Sequence, residues 1–474
     1  MSHRRQLQFF GTSGIRGLTL SFISPEFTEK MCRAFGTYLG NKGTVVIGRD
    51  TRPAAETIEL AAIAGLTAAG LNVIRCGVLP TAALIVYEVL HAKADAAFLI
   101  TGSHIPPNRI GLIFLLGDGS YASDDEAARI EEIYFDIIND KISGLVTDVN
   151  NAGSIRTEPN ALEIYAKFLT SKVEPQKING NDFHVLVDPG NGTAASFFTS
   201  LLHKHYKIQT HAINDVPDVF SFRKSEPSLK NLDVAIRAVQ KLSLSFGVAF
   251  DVDADRVVFL TPKRGLISTN TIGAVLTANA MKRHPDGKYV FPVNTSGIVE
   301  EILAEYSQKP LYCRIGQPAT IEMCKKVNAV FSFEESGKYY HLYDGVPASD
   351  APLTVLKIIE ILNDEQNTLD ELLDGFPEYY SLTTNFLITD ELAREKNKLM
   401  EEFFGVWKGT LTAEDKITTI DGYKVQYPDN SWIIFRPSGT EPKIRIVTDA
   451  KSQKRCQELA EKGVKMFSEV TGIN

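Results

Sequence analysis

The chain has 474 residues, 44% of them hydrophobic and 23% charged, which is typical of a globular protein of about three or four domains. Its formal net charge of −8 argues against binding to nucleic acid, because that function needs a concentrated basic surface. The longest apolar helical stretch, residues 58–71, contains Glu59 and Thr67. The sequence therefore predicts a buried helix there and no membrane span.

Cysteine usage indicates a reducing environment. The cysteines are scattered, odd in number and without a C-x-x-C pair, so we expect neither a disulfide framework nor a zinc site. They are Cys32, Cys76, Cys313, Cys324 and Cys456. No apolar stretch near the start is long enough for a signal peptide, and we expect a cytoplasmic protein.

Strand-like and helical patterns alternate through three successive parts of the chain. Such alternation predicts βαβ units and parallel sheets. The strand-like runs are 44–48, 71–76, 94–100, 183–188, near 208, 246–250, 289–293, 311–314 and 329–333, and the helical runs are 55–70, 82–91, 194–202, 232–242, 297–306 and 319–326. Each part closes with a polar loop after its last strand, so we expect three similar α/β units.

After Pro377 the pattern changes to a smaller α+β unit. Its strand-like runs are 381–389, 416–420, 424–427, 432–435 and 444–448, with helical runs at 391–404 and 454–470. The predicted domains are residues 1–152, 153–262, 263–376 and 377–474.

A serine and a histidine follow the strand that ends near residue 100. Ser103 and His104 lie in the segment 101–107, at the carboxyl end of a predicted strand, where α/β sheets build their sites. Taken alone, such a serine caps the backbone more often than it reacts, and a lone histidine is more often structural.

Three carboxylates share one short loop. Asp251, Asp253 and Asp255 follow the apolar run 246–250. Like charges this close repel each other, so the arrangement needs a counter-cation, and ligands that are all oxygen select a hard ion such as Mg²⁺.

Two further polar loops contain groups that bind hydroxyls and anions. Residues 334–338 contain two glutamates, a serine and a lysine, and residues 436–443 contain a guanidinium, two hydroxyls and a glycine that leaves backbone N–H groups accessible. The second composition is suited to holding a phosphate dianion.

These segments together resemble the α-D-phosphohexomutase superfamily, in its phosphomannomutase/phosphoglucomutase branch. The resemblance spans nearly the whole chain and rests on five motifs in the family's order. They are residues 10–17 (Phe-Gly-Thr-Ser-Gly-Ile-Arg-Gly), the Ser103 loop, the Asp251 loop, the Glu334 loop and the segment from Arg436 to Arg445. The resemblance implies three similar α/β domains with mixed, mostly parallel sheets and a C-terminal α+β domain like the TATA-binding protein, around a central cleft.

The resemblance also implies an activity and a set of roles. Ser103 would carry the transferring phosphoryl group and would hold Mg²⁺ together with Asp251, Asp253 and Asp255. His104, Arg256 and Arg16 would act beside the phosphoryl group. The substrate would contact Glu335, Ser336, Lys338, Arg436, Ser438, Gly439, Thr440 and Arg445. The reaction would interconvert the 1-phosphate and the 6-phosphate of mannose or glucose through a hexose 1,6-bisphosphate, which would also activate the enzyme. The binding partners would be small hexose phosphates, and neither nucleic acid nor a membrane would be bound.

The sequence departs from the family pattern at four positions. Ile113 stands where the family usually has a lysine, so a proton relay near the serine is missing. Val252 replaces a usual glycine, which would strain the loop if that position needs positive φ. Ile105 replaces an asparagine, and Lys338 stands where a histidine is common. We therefore expect a slow mutase or a variant that has left mutase activity behind.

Three alternatives stay open at this stage. The departures favour a catalytically weak member that acts as a sugar-phosphate sensor or partner subunit. Phosphoglucosamine mutase ranks lower than a glucose or mannose enzyme, because its members usually carry glutamine in the sugar loop. Residues 250–253 also resemble the Asp-x-Asp strand end of haloacid-dehalogenase-like phosphatases, but that motif normally lies on the first strand of its core.

Overall fold

Four sheets organise the part of the chain that the structure, a computed structural model, describes: residues 7–174, 178, 183–342, 345–346, 348–438 and 442–473. The chain divides into two compact units. The first comprises Met1–Ser268 with Gly337–Leu372, and the second comprises Thr269–Ser336 with Leu373–Asn474. The predicted fold class, three α/β domains and a C-terminal α+β domain, is confirmed.

The first sheet has seven strands in the order β1-β2-β6-β5-β3-β4-β7. Strands β3, β4, β5 and β7 run parallel, while β6 pairs antiparallel with β5 and β2. The strands are β1 Phe10–Gly11, β2 Gly14–Leu18, β3 Thr44–Arg49, β4 Asn72–Val78, β5 Ala96–Ile100, β6 Arg109–Leu116 and β7 Ile155–Thr157. The helices are α1 Pro25–Tyr38, α2 Ala55–Ala68, α3 Thr81–Val86 and α4 Asp124–Ile138, with a π-helical turn at Tyr87–Ala92 and a 3₁₀ turn at Val149–Asn151. Every residue of β5 is buried, as expected for a strand covered on both faces.

The second sheet has five strands in the order β12-β11-β10-β8-β9. Its elements are α5 Ala161–Ser171, β8 His184–Asp188, α6 Phe197–Tyr206, β9 Gln209–Ala212, a 3₁₀ turn Leu229–Asn231, α7 Asp233–Lys241, β10 Phe246–Phe250, β11 Val257–Thr261 and β12 Gly265–Leu266. Strand β8 lies between β9 and β10 and is parallel to both. The chain therefore reverses its direction of travel across the sheet at β8, and the carboxyl ends of β8 and β10 border the crevice where α/β sheets bind ligands.

The first unit also contains β16 Lys338–His341 and α11 Ala351–Glu365, after which α12 Leu369–Asp374 follows along the chain. Asp350 caps α11, since its side chain accepts a hydrogen bond from the backbone N–H of Leu353. The Tyr165 hydroxyl donates to the same carboxylate at 2.7 Å and joins α5 to this helix.

In the second unit, β13 pairs in parallel with both β14 and β15. The elements of this α/β part are α8 Thr269–Arg283, β13 Lys288–Pro292, α9 Ile298–Ala304, β14 Leu311–Cys313, α10 Gln317–Val327 and β15 Ala329–Glu334.

The last sheet is antiparallel throughout, in the order β17-β21-β20-β19-β18. Its elements are β17 Tyr380–Leu387, α13 Asp390–Lys408, β18 Lys416–Thr418, β19 Tyr423–Gln426, β20 Trp432–Pro437, β21 Lys443–Ala450 and α14 Gln453–Thr471. Phe403, Trp407, Phe435 and Phe467 form the centre of its core, contributed by both helices and the sheet.

Two predicted helices differ from the structure. The helix expected at 194–202 begins at Phe197, because Ser196 has a φ of 59° and both its N–H and its hydroxyl bond to Asp215. The helical run at 82–91 divides into α3 and the π-helical turn. Among the described residues, no helix combines the length and apolar character needed to cross a membrane. The five cysteines are free thiols, and a cytoplasmic location stays a prediction.

Candidate functional site

Ser103 lies in a tightly held loop directly after β5. Its φ is 48°, a left-handed conformation that costs energy in a residue other than glycine. Its N–H donates to the Thr101 hydroxyl at 2.9 Å. The Arg52 guanidinium donates to the backbone carbonyls of Ser103, Pro106 (2.8 Å) and Arg109 (2.9 Å). One buried arginine therefore fixes both ends of the serine loop.

Arg52 is in turn held by a buried carboxylate, Asp50. Asp50 Oδ2 accepts from Arg52 Nε at 3.1 Å and from the N–H of Gly102 at 3.0 Å. A side chain at Gly102 would collide with the guanidinium, since a Cβ there would lie 2.4 Å from Arg52 Cζ. Asp50 and Arg52 are not among the residues predicted from the sequence, although the polar segment 49–52 directly follows the strand-like run 44–48.

The carboxyl end of β10 brings three buried carboxylates together. Oxygen atoms of Asp251, Asp253 and Asp255 all lie within 4.8 Å of one another. The Ser103 hydroxyl donates to Asp251 Oδ2 at 2.6 Å. The Thr101 hydroxyl lies 2.9 Å from Asp253 Oδ2. The structure thus gathers the predicted serine and all three predicted carboxylates into one cluster.

This cluster fits a divalent cation. Oδ1 of Asp253 and Oδ1 of Asp255 are buried and accept no hydrogen bond from any residue that the structure describes. Burial, followed by repulsion from the neighbouring aspartates, raises the pKa of Asp251 well above its ordinary value and that of Asp253 to about 6. Buried carboxylate oxygens without donors are the ligands that a hard cation binds.

Three basic side chains surround the carboxylates. Lys338 Nζ lies 2.5 Å from Asp255 Oδ2, and Arg256 Nε lies 3.8 Å from both Asp251 Oδ2 and Asp255 Oδ1. Burial alone would raise the pKa of Asp255, but Lys338 and Arg256 outweigh it and lower that pKa. Arg16 Nε is buried and makes no hydrogen bond within the described residues. A buried guanidinium N–H without an acceptor is suited to an anionic ligand.

His104 lies beside Ser103, and its imidazole ring is neutral. Its Nδ1 is 3.4 Å from Ser103 Oγ, which is long for a hydrogen bond. Burial, assisted by Arg256, Arg16 and Lys338, lowers the pKa of His104 to about 2. The ring is therefore uncharged at neutral pH.

The backbone of the aspartate loop is not strained at Val252. Val252 does not have positive φ; the left-handed residue is Ala254, with φ of 52°. The expected strain at Val252 is thus absent, because the turn places its tight bend two residues later. Ile113 is buried in β6 opposite Leu99 and offers no titratable group.

In the second unit, Glu335 and Ser336 follow β15 as predicted. Protein atoms around the carboxylate reduce its hydration and raise the pKa of Glu335 to about 7, although part of the residue remains exposed. A hydrogen bond with Asn294 and the charge of Arg445 act in the opposite direction. Thr269 donates to the Glu335 carbonyl at 2.6 Å and fixes the loop. Ser336 Oγ is buried and has no hydrogen-bond partner in the described chain.

The predicted phosphate loop lies at the end of the β20–β21 hairpin. Arg436 and Arg445 are directly paired across the two strands, and Asp421 Oδ1 accepts from Arg436 Nε at 2.9 Å. Like charges in directly opposed positions repel, so the pair favours an anion nearby. Ser438 N bonds to the Lys443 carbonyl at 2.8 Å. Gly439 and Thr440 lie outside the described residues.

Lys396 also belongs to this hairpin, although residues 394–396 read as a solvated helix face in the sequence. Its amine donates to the Ser438 carbonyl at 2.5 Å. Arg394 and Glu395 are exposed, as is typical of a solvated helix face, while Lys396 is half-buried. A charge at one helix position carries no sequence signal for a contact 42 residues away.

Comparison with known proteins covers both units. Models of phosphoglucomutase/phosphomannomutase match residues 7–141 (alpha/beta/alpha domain I), 163–265 (domain II), 268–380 (domain III) and 387–465 (C-terminal domain). A probable phosphoglucosamine mutase of Methanopyrus kandleri is 32% identical over 458 residues, which cover 96% of this chain and 97% of that protein. A phosphoglucomutase/phosphomannomutase of Thermococcus kodakarensis is 32% identical over 467 residues, covering 98% and 99%.

A solved structure has the same fold. The phosphoglucomutase/phosphomannomutase family protein of Burkholderia thailandensis superposes with a TM-score of 0.84 at 22% identity, covering 99% of each chain.

Proposed function

Since the chain belongs to the phosphoglucomutase/phosphomannomutase family, within the α-D-phosphohexomutase superfamily, and is therefore a phosphomutase, we propose that it moves a phosphoryl group between O1 and O6 of a hexose phosphate. The proposed route uses a phosphorylated Ser103 and a hexose 1,6-bisphosphate. The serine gives its phosphoryl group to the free hydroxyl of the substrate, the bisphosphate turns end for end, and the opposite phosphoryl group returns to Ser103.

One observation carries this proposal: Ser103 Oγ is 2.6 Å from Asp251 Oδ2, in a buried cluster of three carboxylates. The loop that presents the serine is held by Arg52 through three carbonyls. The hydroxyl therefore has a fixed position, and phosphoryl transfer depends chiefly on positioning and charge neutralisation.

We assign Mg²⁺ to Ser103, Asp251, Asp253 and Asp255, because the two carboxylate oxygens that accept no hydrogen bond from a described residue fit such an ion. When bound, the cation would neutralise charge on the transferring phosphoryl group. The residues of the chain supply further positive charge. We assign phosphoryl oxygens to Arg16 and Arg256, which are charged groups near the carboxylates, while Lys338 balances Asp255.

In the second unit, we assign the non-reacting phosphate to Arg436, Ser438, Gly439, Thr440 and Arg445. The facing pair of arginines supports this assignment, since a dianion offsets their repulsion. We assign sugar hydroxyls to Glu335 and Ser336. An ionised or neutral carboxyl accepts from a hydroxyl, and the unpartnered Ser336 hydroxyl adds a donor.

For the sugar, we propose glucose or mannose, with phosphoglucosamine as the alternative. The two relatives described above have different names, one a probable phosphoglucosamine mutase and the other a phosphoglucomutase/phosphomannomutase, at the same identity of 32%. Turnover of the 1-phosphates of glucose, mannose and glucosamine, compared as kcat/KM under identical conditions, decides between them. Preference for glucosamine 1-phosphate by tenfold or more would overturn the proposed sugar.

The test of the mechanism is peptide-mapped mass spectrometry after incubation with Mg²⁺ and glucose 1,6-bisphosphate. We expect one phosphoryl group on Ser103 and none in a Ser103→Ala variant. A bare Ser103 in protein that binds the bisphosphate would contradict the mechanism and favour the sensor alternative. An acyl phosphate on Asp251, labile to hydroxylamine, would favour the phosphatase alternative.

A further inference from the structure

A cavity lies at the carboxyl ends of β8 and β9 in the first unit. Its volume is about 460 Å³, within the range of small-molecule sites. Asp188 and Asn214 line it from the strand ends, the loop after β9 contributes Phe222 to Lys224, and the start of α7 closes the far side. None of these residues belongs to the site described above.

Hydrogen bonds join the residues that form the wall of this cavity. Arg223 Nε donates to Asp188 Oδ2 at 2.8 Å, and the same guanidinium also donates to the carbonyls of Asp188 (3.2 Å), Lys224 (3.0 Å) and Phe250. Asn214 Nδ2 donates to Asp188 Oδ1 at 2.9 Å. The loop is thereby fixed before any ligand arrives, which reduces the entropy lost on binding.

The charges that remain at the cavity are positive. Asp188 is neutralised by Arg223, and Asp233 pairs with Arg237. Lys224 and Lys230 are exposed, line the cavity and form no ion pair with a described residue. Two lysines in a concave site attract a polyanion such as a phosphate ester.

A large apolar surface adjoins these lysines. The Phe222 ring is 89% exposed and Val234 is 65% exposed, and both line the cavity. An exposed aromatic ring next to cations is the arrangement that stacks a flat base while its phosphate is held electrostatically. A phosphate group alone would leave this ring in water, whereas the base of a nucleotide would cover it.

We propose that this cavity binds a nucleoside diphosphate, with the base on Phe222 and the phosphates on Lys224 and Lys230. The test is calorimetric titration of the full chain with ADP, in EDTA and at low salt, so that the carboxylate cluster does not contribute through a metal. We expect ADP to bind at least about tenfold more tightly than adenosine or pyrophosphate, since each lacks one of the two contacts. Removing the stacking ring with Phe222→Ala should weaken ADP binding about tenfold.

Removing both cations with Lys224→Ala and Lys230→Ala should weaken ADP binding at least tenfold and reduce its salt dependence. The matched control is Lys204→Ala with Lys241→Ala, which removes the same charge from exposed positions of the same domain that form no ion pair with a described residue, and it should leave affinity unchanged. The proposal is overturned if ADP does not bind, if the control weakens binding as much as the cavity variant, or if saturating glucose 1,6-bisphosphate displaces ADP. This experiment measures ADP binding and not mutase activity, so its result does not depend on the proposed function.

Discussion

The Ser103 hydroxyl donates a hydrogen bond of 2.6 Å to Asp251 Oδ2 across 148 residues of sequence. Each residue lies in a loop that directly follows a completely buried strand, β5 for the serine loop and β10 for the aspartate loop. A second contact reaches the aspartate loop from the start of α3, because the N–H of Thr81 donates to the carbonyl of Asp253 at 3.0 Å. The aspartate loop is therefore held to the serine loop by side chains and to α3 by backbone.

The first prediction concerns this pair. Ser103→Ala should lower mutase turnover by at least about a thousandfold, because no other residue accepts the phosphoryl group. Thermal unfolding should change little, since the hydroxyl makes one strong bond. The control is Ser171→Ala, on the far end of α5, with normal turnover expected. A Ser103→Ala enzyme that retains more than a tenth of wild-type kcat would exclude the serine as donor.

Arg52 gives the second prediction. Arg52→Lys keeps the charge but cannot reach three carbonyls at once, since an ammonium lacks the guanidinium's planar fork. We expect kcat to fall by about 10- to 100-fold with KM nearly unchanged, because the serine loop is displaced while substrate contacts remain. Arg75→Lys is the control, as Arg75 pairs with Glu56 and Glu59 elsewhere in the same domain. Equal kcat losses in both variants would indicate general destabilisation instead.

Metal binding gives the third prediction. Adding Mg²⁺ should raise the Tm of the wild type, because an ion that binds only the folded state stabilises it. Asp253→Asn should abolish this increase, since it removes one carboxylate charge from the cluster. Asp370→Asn is the control, because that carboxylate accepts from the Thr261 hydroxyl at 2.7 Å and lies outside the cluster. An Mg²⁺-dependent shift that survives in Asp253→Asn would place the ion elsewhere.

The sequence predicts the cluster because its members follow strands of recognisable pattern. The apolar runs before Ser103 and Asp251 place both at carboxyl ends of strands, and family motifs add the glutamate and arginine loops. By contrast, the roles of Asp50 and Arg52 depend on which carbonyls a folded loop directs at the guanidinium. That information arises only when β3 and β5 pair in the sheet.

Backbone conformation is the second feature of the site that the sequence alone does not predict. A rule based on residue type places the strain of the aspartate loop at Val252, where the family resemblance leads us to expect glycine, but the turn bends at Ala254. Likewise, Lys396 reads as a surface charge, and only the packing of α13 against the hairpin brings it to Ser438. The position of the bend and the contact of Lys396 both depend on the folded structure and not on residue type alone.

The fourth prediction is a pH dependence of stability. The ordinary pKa of an aspartate is 3.8, and burial raises the pKa of Asp350 to about 6. Hydrogen bonds from Leu353 and Tyr165 act in the opposite direction but do not outweigh burial. Between about pH 4 and 6 the folded state retains a proton that the unfolded state releases. The stability that this protonated carboxyl contributes is therefore present at low pH and is lost as the pH rises through 6. The free energy of unfolding falls by up to about 3 kcal/mol over this range.

Asp350→Asn should remove this loss, since a neutral amide oxygen still accepts from Leu353. Urea midpoints should show the variant gaining stability relative to the wild type from pH 4 to pH 6.5. Asp286→Asn, at an exposed position, serves as the control and should show no such trend. A constant difference between Asp350→Asn and the wild type across this range would exclude a raised pKa.

The last prediction concerns Ile113, where the family resemblance leads us to expect a lysine. Ile113 is buried in β6, and its Cδ1 lies against Gly14, where an added Cβ would approach it to 3.0 Å. Gly14 lies two residues before Arg16, on the strand that pairs with β6. A lysine at this position could lay its apolar stem along the sheet and extend its amine toward the polar cluster.

We expect Ile113→Lys to raise kcat, by up to about 100-fold, because general acid/base catalysis contributes about 10² to 10⁴ in rate. The amine must leave water to reach the site, so Tm should fall at the same time. Turnover is therefore compared per folded molecule, at a temperature well below both unfolding transitions. Ile113→Met, which fills the space without an amine, is the control and should leave kcat unchanged. A folded Ile113→Lys enzyme with wild-type kcat would show that Ile113 does not limit proton transfer, and that neighbouring groups already meet that need.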